Sequence, residues 1–289
     1  MAHTIAILGA TGVLGRHLTP RLVAAGHSVR ALVRRPEAAG IARSCGADIR
    51  LADIFDGSTL RTALDGCDHA INLATTLPGP SGRGDFAAND RLRREGTPVF
   101  VKACREAGVS RVLQQSIAMI NAAGELVADE DTPAAEVREP TAAAAIAAAV
   151  AMEAAVRSSE LDWIILRGGL YYGPGTGFDD DWFARAAAGK LRLPGEGQDF
   201  VSLIHIADMA TAVLATLEHW CSHETFIIAD DVPARWRDVF GHIASMTGAA
   251  PPTPGGRAGF PSFRVSNAKA RRLLRWSPSY ADYRAGLAR

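Results

Sequence analysis

Thr4-Ile5-Ala6-Ile7-Leu8-Gly9-Ala10-Thr11-Gly12-Val13-Leu14-Gly15 decides the fold of this chain. A strand-like run feeds directly into a glycine turn, and a helical pattern opens behind it. Gly9 permits the turn, Gly12 lets a backbone approach a pyrophosphate, and Gly15 lets helix and strand pack closely. Free N–H groups at the helix mouth then suit phosphate oxygens. Strand, turn and helix in register carry more weight than three glycines alone. The bland alternative is a plain glycine-rich connection.

Outward from that turn, short apolar runs alternate with helical patterns. Residues 4–8, 28–33, 48–51, 69–73, 112–115 and 163–166 read as strands; 13–25, 57–64, 91–107 and 141–158 read as helices. Such alternation predicts an α/β fold: a Rossmann-type, doubly wound parallel sheet with helices on both faces. Gly26, Gly66 and Gly108 follow helical segments as C-terminal caps do. After Gly173-Pro174-Gly175 the interleaving loosens. Residues 1–173, with 201–217 returning to them, read as the nucleotide domain, and 174–200 and 218–289 as a smaller substrate lobe.

The second predicted strand exits as Val33-Arg34-Arg35-Pro36. An NAD site usually places an acid there, on the ribose hydroxyls. Two guanidiniums suit a 2′-phosphate instead, so Arg34 and Arg35 predict NADP(H), with Arg34 nearer the strand end. The alternative is that they are solvated surface residues. Thr11 and Arg16 are further candidates for the phosphates.

Composition bounds the rest. The chain has 289 residues, 48% hydrophobic, with zero net charge. It can bury a sizeable core and carries no basic footprint for nucleic acid or a membrane face. The apolar stretch 142–152 is mostly alanine and reads as too short to span a bilayer. The N-terminus runs into a strand, which argues against a signal peptide. Cys45, Cys67, Cys104 and Cys221 form no C-x-x-C pair, so the expectation is a cytoplasmic protein with reduced cysteines and no metal site.

These motifs together resemble the short-chain dehydrogenase/reductase superfamily. They comprise the Gly9–Gly15 turn, Val29 to Arg34, Ala52-Asp53, Asn72-Leu73-Ala74, Gly108-Val109, Ile165-Leu166-Arg167, Tyr172-Gly173-Pro174-Gly175, His205-Ile206-Ala207-Asp208 and Trp276-Ser277-Pro278. The closer likeness is to the extended and atypical branches, with their nucleotide-sugar epimerases, dehydratases and NmrA-like proteins. The resemblance implies that Asp53 contacts adenine beside Ile54, and that Ala74 and Thr75 line the cofactor along with Val13 and Leu14. It implies that Ser116 hydrogen-bonds a reacting carbonyl. It also implies a homodimer contact through the helices at 97–107 and 141–158.

One departure stands out. The family uses a Tyr-x-x-x-Lys pair on one helical face, in which the lysine lowers the tyrosine pKa and the tyrosine passes a proton. Anchored on Pro140 and Glu153, those positions are Ala145 and Ala149. The chain has four tyrosines and three lysines (Lys102, Lys190, Lys269), and none is spaced as the pair. Tyr171 and Tyr172 follow the sixth strand at the sheet's carboxyl edge, so either is a candidate donor, with a packing role as the alternative. His205 reads as a general base or as a structural residue. The acids 179–181 read as helix-start residues. Three functions fit: NADPH-dependent reduction of a carbonyl on a small, moderately apolar metabolite with a non-standard proton donor; a redox-neutral isomerase, lyase or cyclase; or an NmrA-like regulator without catalysis.

Overall fold

A computed structural model describes residues 2–79, 82, 84–257 and 259–288. Seven strands form the central sheet: β1 (Thr4–Leu8), β2 (Ser28–Val33), β3 (Asp48–Leu51), β4 (His69–Asn72), β5 (Arg111–Ile117), β6 (Asp162–Gly168) and β7 (Glu224–Ile228). All pair in parallel, in the order β7-β6-β5-β4-β1-β2-β3. The order reverses between β1 and β4, and a crevice opens at the strands' carboxyl ends at such a switch point.

The main helices are α1 (Val13–Ala24), α2 (Gly57–Leu64), α3 (Thr97–Glu106), α4 (Pro140–Arg157), α5 (Phe178–Ala187), α6 (Ile206–Glu218) and α7 (Trp236–Thr247). Alternation along β1 shows why the sheet is covered twice. Ile5 and Ile7 join a core with Leu14, Leu18 and Leu22 of α1 and Met209 and Val213 of α6. Ala6 and Leu8 join the opposite core with Leu60 and Leu64 of α2 and Phe100 and Cys104 of α3. Leu18 and Leu22 are fully buried, each contributing roughly 2–3 kcal/mol by area.

One expectation changes here. The stretch 218–289 is not all lobe: β7 pairs with β6 and extends the sheet. Its Phe226 and Ile228, with Ala270, Leu274 and Trp276, sit in the same core as α1. The alanine-rich helix forms over the span read from the sequence, 141–158, to within one residue at each end. At 18 residues α4 has the length and hydropathy of a membrane span. It packs inside the fold, however, burying Ile146, Met152 and the charged Glu153.

The lobe has its own core. Trp182 and Phe183 of α5 meet Trp236, Phe240 and Ile243 of α7, together with Val201 and Tyr283. This layer lies over the carboxyl ends of β5 and β6, so the crevice gains an aromatic wall.

Candidate active site

The glycine turn is shaped by contact. Gly9 sits at φ +88°, and a Cβ there would fall 2.7 Å from the Leu73 carbonyl carbon. A Cβ on Gly15 would overlap Gly9 O and the Ala10 backbone. α1 then starts at Gly12 with no side-chain cap. Its first N–H groups therefore lack intrahelical partners, and that end of the helix dipole favours anions. A tight cradle and an uncapped helix mouth fit a dinucleotide pyrophosphate. Thr11 lies half-buried in the turn.

Around this mouth the other predicted contacts sort themselves. Arg34 and Arg35 lie exposed just past β2. Neither guanidinium makes a hydrogen bond or ion pair among the described residues, so both are free to meet a phosphate. Asp53 follows β3 and accepts the Phe55 N–H at 3.0 Å, while the cap of α2 is Asp56 instead. Ile54 is buried. Ala74 donates its N–H to Asn72 Oδ1 at 3.1 Å beside the glycine turn, and Thr75 lines the cleft.

The cleft itself holds about 380 Å³, and Gly12, Val13, Leu14 and Gly15 form its floor. Its walls are largely apolar: Leu73, Leu77, Ile117, Met119, Leu170 and several phenylalanines. The polar side chains reaching it are Thr75, Arg93, Gln115, Tyr171 and Thr176. Ala145 presents a methyl group to it, and Ala149 is fully buried behind.

The three predicted catalytic residues part company. Along β5 the side chains alternate, so Gln115 and Ile117 line the cleft while Ser116 faces away. Ser116 is fully buried and donates to Glu153 Oε1 at 2.7 Å. Glu153 in turn accepts from Arg167 at 2.6 and 2.9 Å. Burial alone would raise the Glu153 pKa, but Arg167, Ser116 and Arg157 outweigh it and hold the carboxyl below its ordinary value.

Tyr172 is also turned away. It is fully buried, and its hydroxyl meets Asp230 Oδ2 at 3.2 Å in the lobe core. Burial raises its pKa strongly, and Asp230 adds to the effect. Tyr171 does line the cleft. Its hydroxyl is shut from solvent, and no hydrogen bond of normal geometry satisfies it among the described residues, although Gln115 approaches. Burial pushes its pKa up, only partly offset by Gln115 and the Arg93 charge.

His205 caps α6: its Nδ1 accepts the Ala207 N–H at 3.3 Å, and its ring lies tilted against Tyr280 with centroids 3.9 Å apart. Asp179 ties down the glycine loop, accepting from Gly173 N at 3.2 Å and Thr176 Oγ1 at 3.0 Å.

Arg93 escapes a reading of the sequence. Arg91-Leu92-Arg93-Arg94 looks like a solvated helical face. A π-helical turn over Leu92–Gly96 changes the register, and Arg93 ends 3% exposed on the cleft wall. Such turns concentrate at functional sites. The signal available in sequence was only an unusual density of arginine before Gly96.

A family model described as NAD(P)H-binding matches residues 9–219. A 3-diazoavenalumate denitrifying reductase from Streptomyces sp. is 35% identical, over 99% of each chain. A 4-hydroxy-2-methyl-3-oxo-4-farnesyl-3,4-dihydroquinoline-1-oxide ketoreductase from Stigmatella aurantiaca is 27% identical, over 84% of this chain and 72% of its own. Among solved structures, MoeE5 in complex with UDP-glucuronic acid and NAD superposes with a TM-score of 0.81 at 23% identity, covering 98% and 96% of the two chains. Thermus thermophilus UDP-glucose 4-epimerase in complex with NAD gives 0.80 at 20%, with the same coverage. The structures share the fold, and the named relatives are reductases. The chain belongs to the NAD(P)H-binding family and is an oxidoreductase-type enzyme built to hold a nicotinamide cofactor.

Proposed function

We propose that this enzyme is an NADPH-dependent reductase of a small, largely apolar aromatic metabolite, delivering hydride to a carbon that needs no proton from the protein. The leading substrate is an arene diazo compound; the Streptomyces relative is named as a denitrifying reductase of 3-diazoavenalumate. The carrying observation is the cleft wall itself: methyl groups at Ala145 and Ala149, with Ser116 and Tyr172 both turned into the interior. When bound, the reduced nicotinamide supplies a hydride; a diazonium carbon accepts it as its carbon–nitrogen bond breaks and dinitrogen leaves, so charge balances without a proton, whereas a carbonyl needs one on oxygen.

Each residue then has a task that does not include acid catalysis. Gly9, Gly12 and Gly15 with the α1 mouth hold the pyrophosphate, and Arg34 and Arg35 hold a 2′-phosphate. Asp53, Ile54, Ala74 and Thr75 flank the nucleotide. Leu73, Ile117, Met119 and Phe178 exclude water, which matters for an electrophile that water would consume. The four free cysteines suit a reducing cytoplasm. Small exposed side chains on α4, Ala147, Ala151 and Ala154 beside Val150, leave room for a second copy through α3 and α4.

A second reading keeps carbonyl reduction, with Tyr171 as donor. The unsatisfied Tyr171 hydroxyl on the cleft wall favours it, as do the oxo substrates named for the more distant reductases.

The deciding experiment supplies purified enzyme with NADPH deuterated at nicotinamide C4 and, separately, an ortho-diazophenol and an aryl β-keto ester. Equimolar dinitrogen release with deuterium on the ring carbon supports the first reading. Turnover of the keto ester alone replaces it with the second. Turnover of neither overturns both.

A further inference from the structure

We propose that Arg93 is an anion anchor, so that the substrate is an aromatic compound carrying an ionised oxygen, a phenolate or a carboxylate, beside the reacting carbon. The inference deepens the reductase reading and rests on its assignment of an aromatic substrate to this cleft.

Arg93 is 3% exposed, yet it forms no ion pair among the described residues. A guanidinium presents five N–H donors in a fixed fork, and among the described residues its one hydrogen bond goes to Ala145 O at 3.2 Å. Asp90 and Glu153 act on it through charge without a direct contact; Glu153 is already engaged by Arg167 and Ser116. A buried cation lacking a paired anion is costly. A ligand oxygen that completes the fork removes that cost. The π turn Leu92–Gly96 fits this reading, since it sacrifices regular helix geometry and leaves Arg93 on the cleft wall.

The surroundings select an aromatic body for that anion. Phe86, Leu170, Phe178 and Phe260 border both the cleft and an adjoining chamber of about 290 Å³ walled by Trp182 and Trp236. Aromatic walls suit a planar ligand, and an apolar setting strengthens attraction between guanidinium and anion. Arg257, which borders the chamber, is a weaker anchor. Its side chain is 77% exposed and already lies 3.3 Å from Glu139.

Calorimetric titration of the NADP⁺-bound protein tests this with two matched pairs: cinnamate against methyl cinnamate, and para-nitrophenolate against para-nitroanisole. The expected result is at least one anion binding about tenfold or more above its neutral partner, the scale of one charge-assisted hydrogen bond. The pair that responds identifies carboxylate or phenolate as the source. Arg93→Met should erase that preference while leaving neutral-ligand and NADPH binding unchanged, and Arg93→Lys should keep part of it. Equal affinity within both pairs for the wild type, no binding of any of the four, or a preference that survives Arg93→Met would each overturn the proposal. The wild-type comparison stands even where Arg93→Met fails to fold. Because no turnover is read, a protein that prefers anions yet reduces no diazo compound keeps the anchor and loses only the reaction.

Discussion

The Ser116 hydroxyl donates to the Glu153 carboxylate at 2.7 Å, and this bond takes the residue out of the cleft and into the frame of the fold. Glu153 is 3% exposed and joins α4 to β5 through Ser116 and to β6 through Arg167. Ser116→Ala should therefore cost stability, about 1–3 kcal/mol for one hydrogen bond to a buried charge. Turnover at saturating substrate should stay within about twofold, since no transition-state contact is lost. Glu153→Ala should cost more, about 3–5 kcal/mol, because it leaves Arg167 as an unpaired buried cation. Urea unfolding and steady-state rates on the same preparations check both. A large fall in kcat for Ser116→Ala with unchanged stability would return Ser116 to the chemistry.

Adjacent tyrosines give the next contrast. Tyr171 borders the cleft, while Tyr172 meets Asp230 in the lobe. Burial raises the Asp230 pKa to about 8, so its carboxyl is largely protonated in the native state at neutral pH. The unfolded chain ionises near 3.8. This group therefore contributes its full stability below that value, and the contribution is lost as pH rises toward about 8. Asp230→Asn should be more stable than wild type around pH 8 and no more stable near pH 4. Tyr172→Phe should lower stability at any pH without changing diazo turnover. Tyr171→Phe should also spare diazo reduction but abolish any keto reduction. Melting curves across pH, with both assays, separate these outcomes.

The parts of this fold that local rules govern were legible in the sequence. Strands 4–8, 28–33 and 48–51 begin and end where apolar alternation and turn residues place them, and the glycine turn forms as its spacing demands. What was hidden depends on one residue of register. A strand turns neighbours to opposite faces, so Ser116 cannot share the cleft with Gln115 and Ile117, and Tyr172 cannot share it with Tyr171. No composition rule fixes which member of each pair faces inward. Arg93 was hidden because a helical period reads it as solvated, and a π turn is not visible in that period. β7 was hidden because Phe226-Ile227-Ile228 is short enough to serve as a strand of either core.

Cofactor choice should follow the β2 exit. Arg34 and Arg35 are exposed and unpaired among the described residues, and a 2′-phosphate would find two guanidiniums there. NADPH should quench the intrinsic fluorescence at lower concentration than NADH. Arg34→Ala should weaken NADPH binding by about tenfold while leaving NADH binding nearly unchanged, with Arg35→Ala having a smaller effect. Equal affinity of the wild type for the two nucleotides would remove the arginines from cofactor selection.

Acid sensitivity should trace in part to His69, far from the cleft at the start of β4. It is 4% exposed, its ring stacks on His3 at 4.5 Å, and its Nδ1 finds no partner among the described residues. Burial, then the neighbouring charges of His3 and Arg111, lowers its pKa from 6.5 to about 4. The unfolded chain therefore takes up a proton that the native protein refuses throughout that window. Stability from the neutral imidazole is complete above pH 6.5 and is lost as pH falls to about 4. His27, also lowered, adds to the same slope, while loss of the Glu153 contribution belongs to lower pH because that carboxyl titrates below 4.5. His69→Gln should flatten the dependence of unfolding free energy on pH between about 6.5 and 4, leaving the steeper fall at more acidic pH intact. Urea titrations of both proteins across that range measure it, and parallel curves would show that His69 does not govern the acid limb.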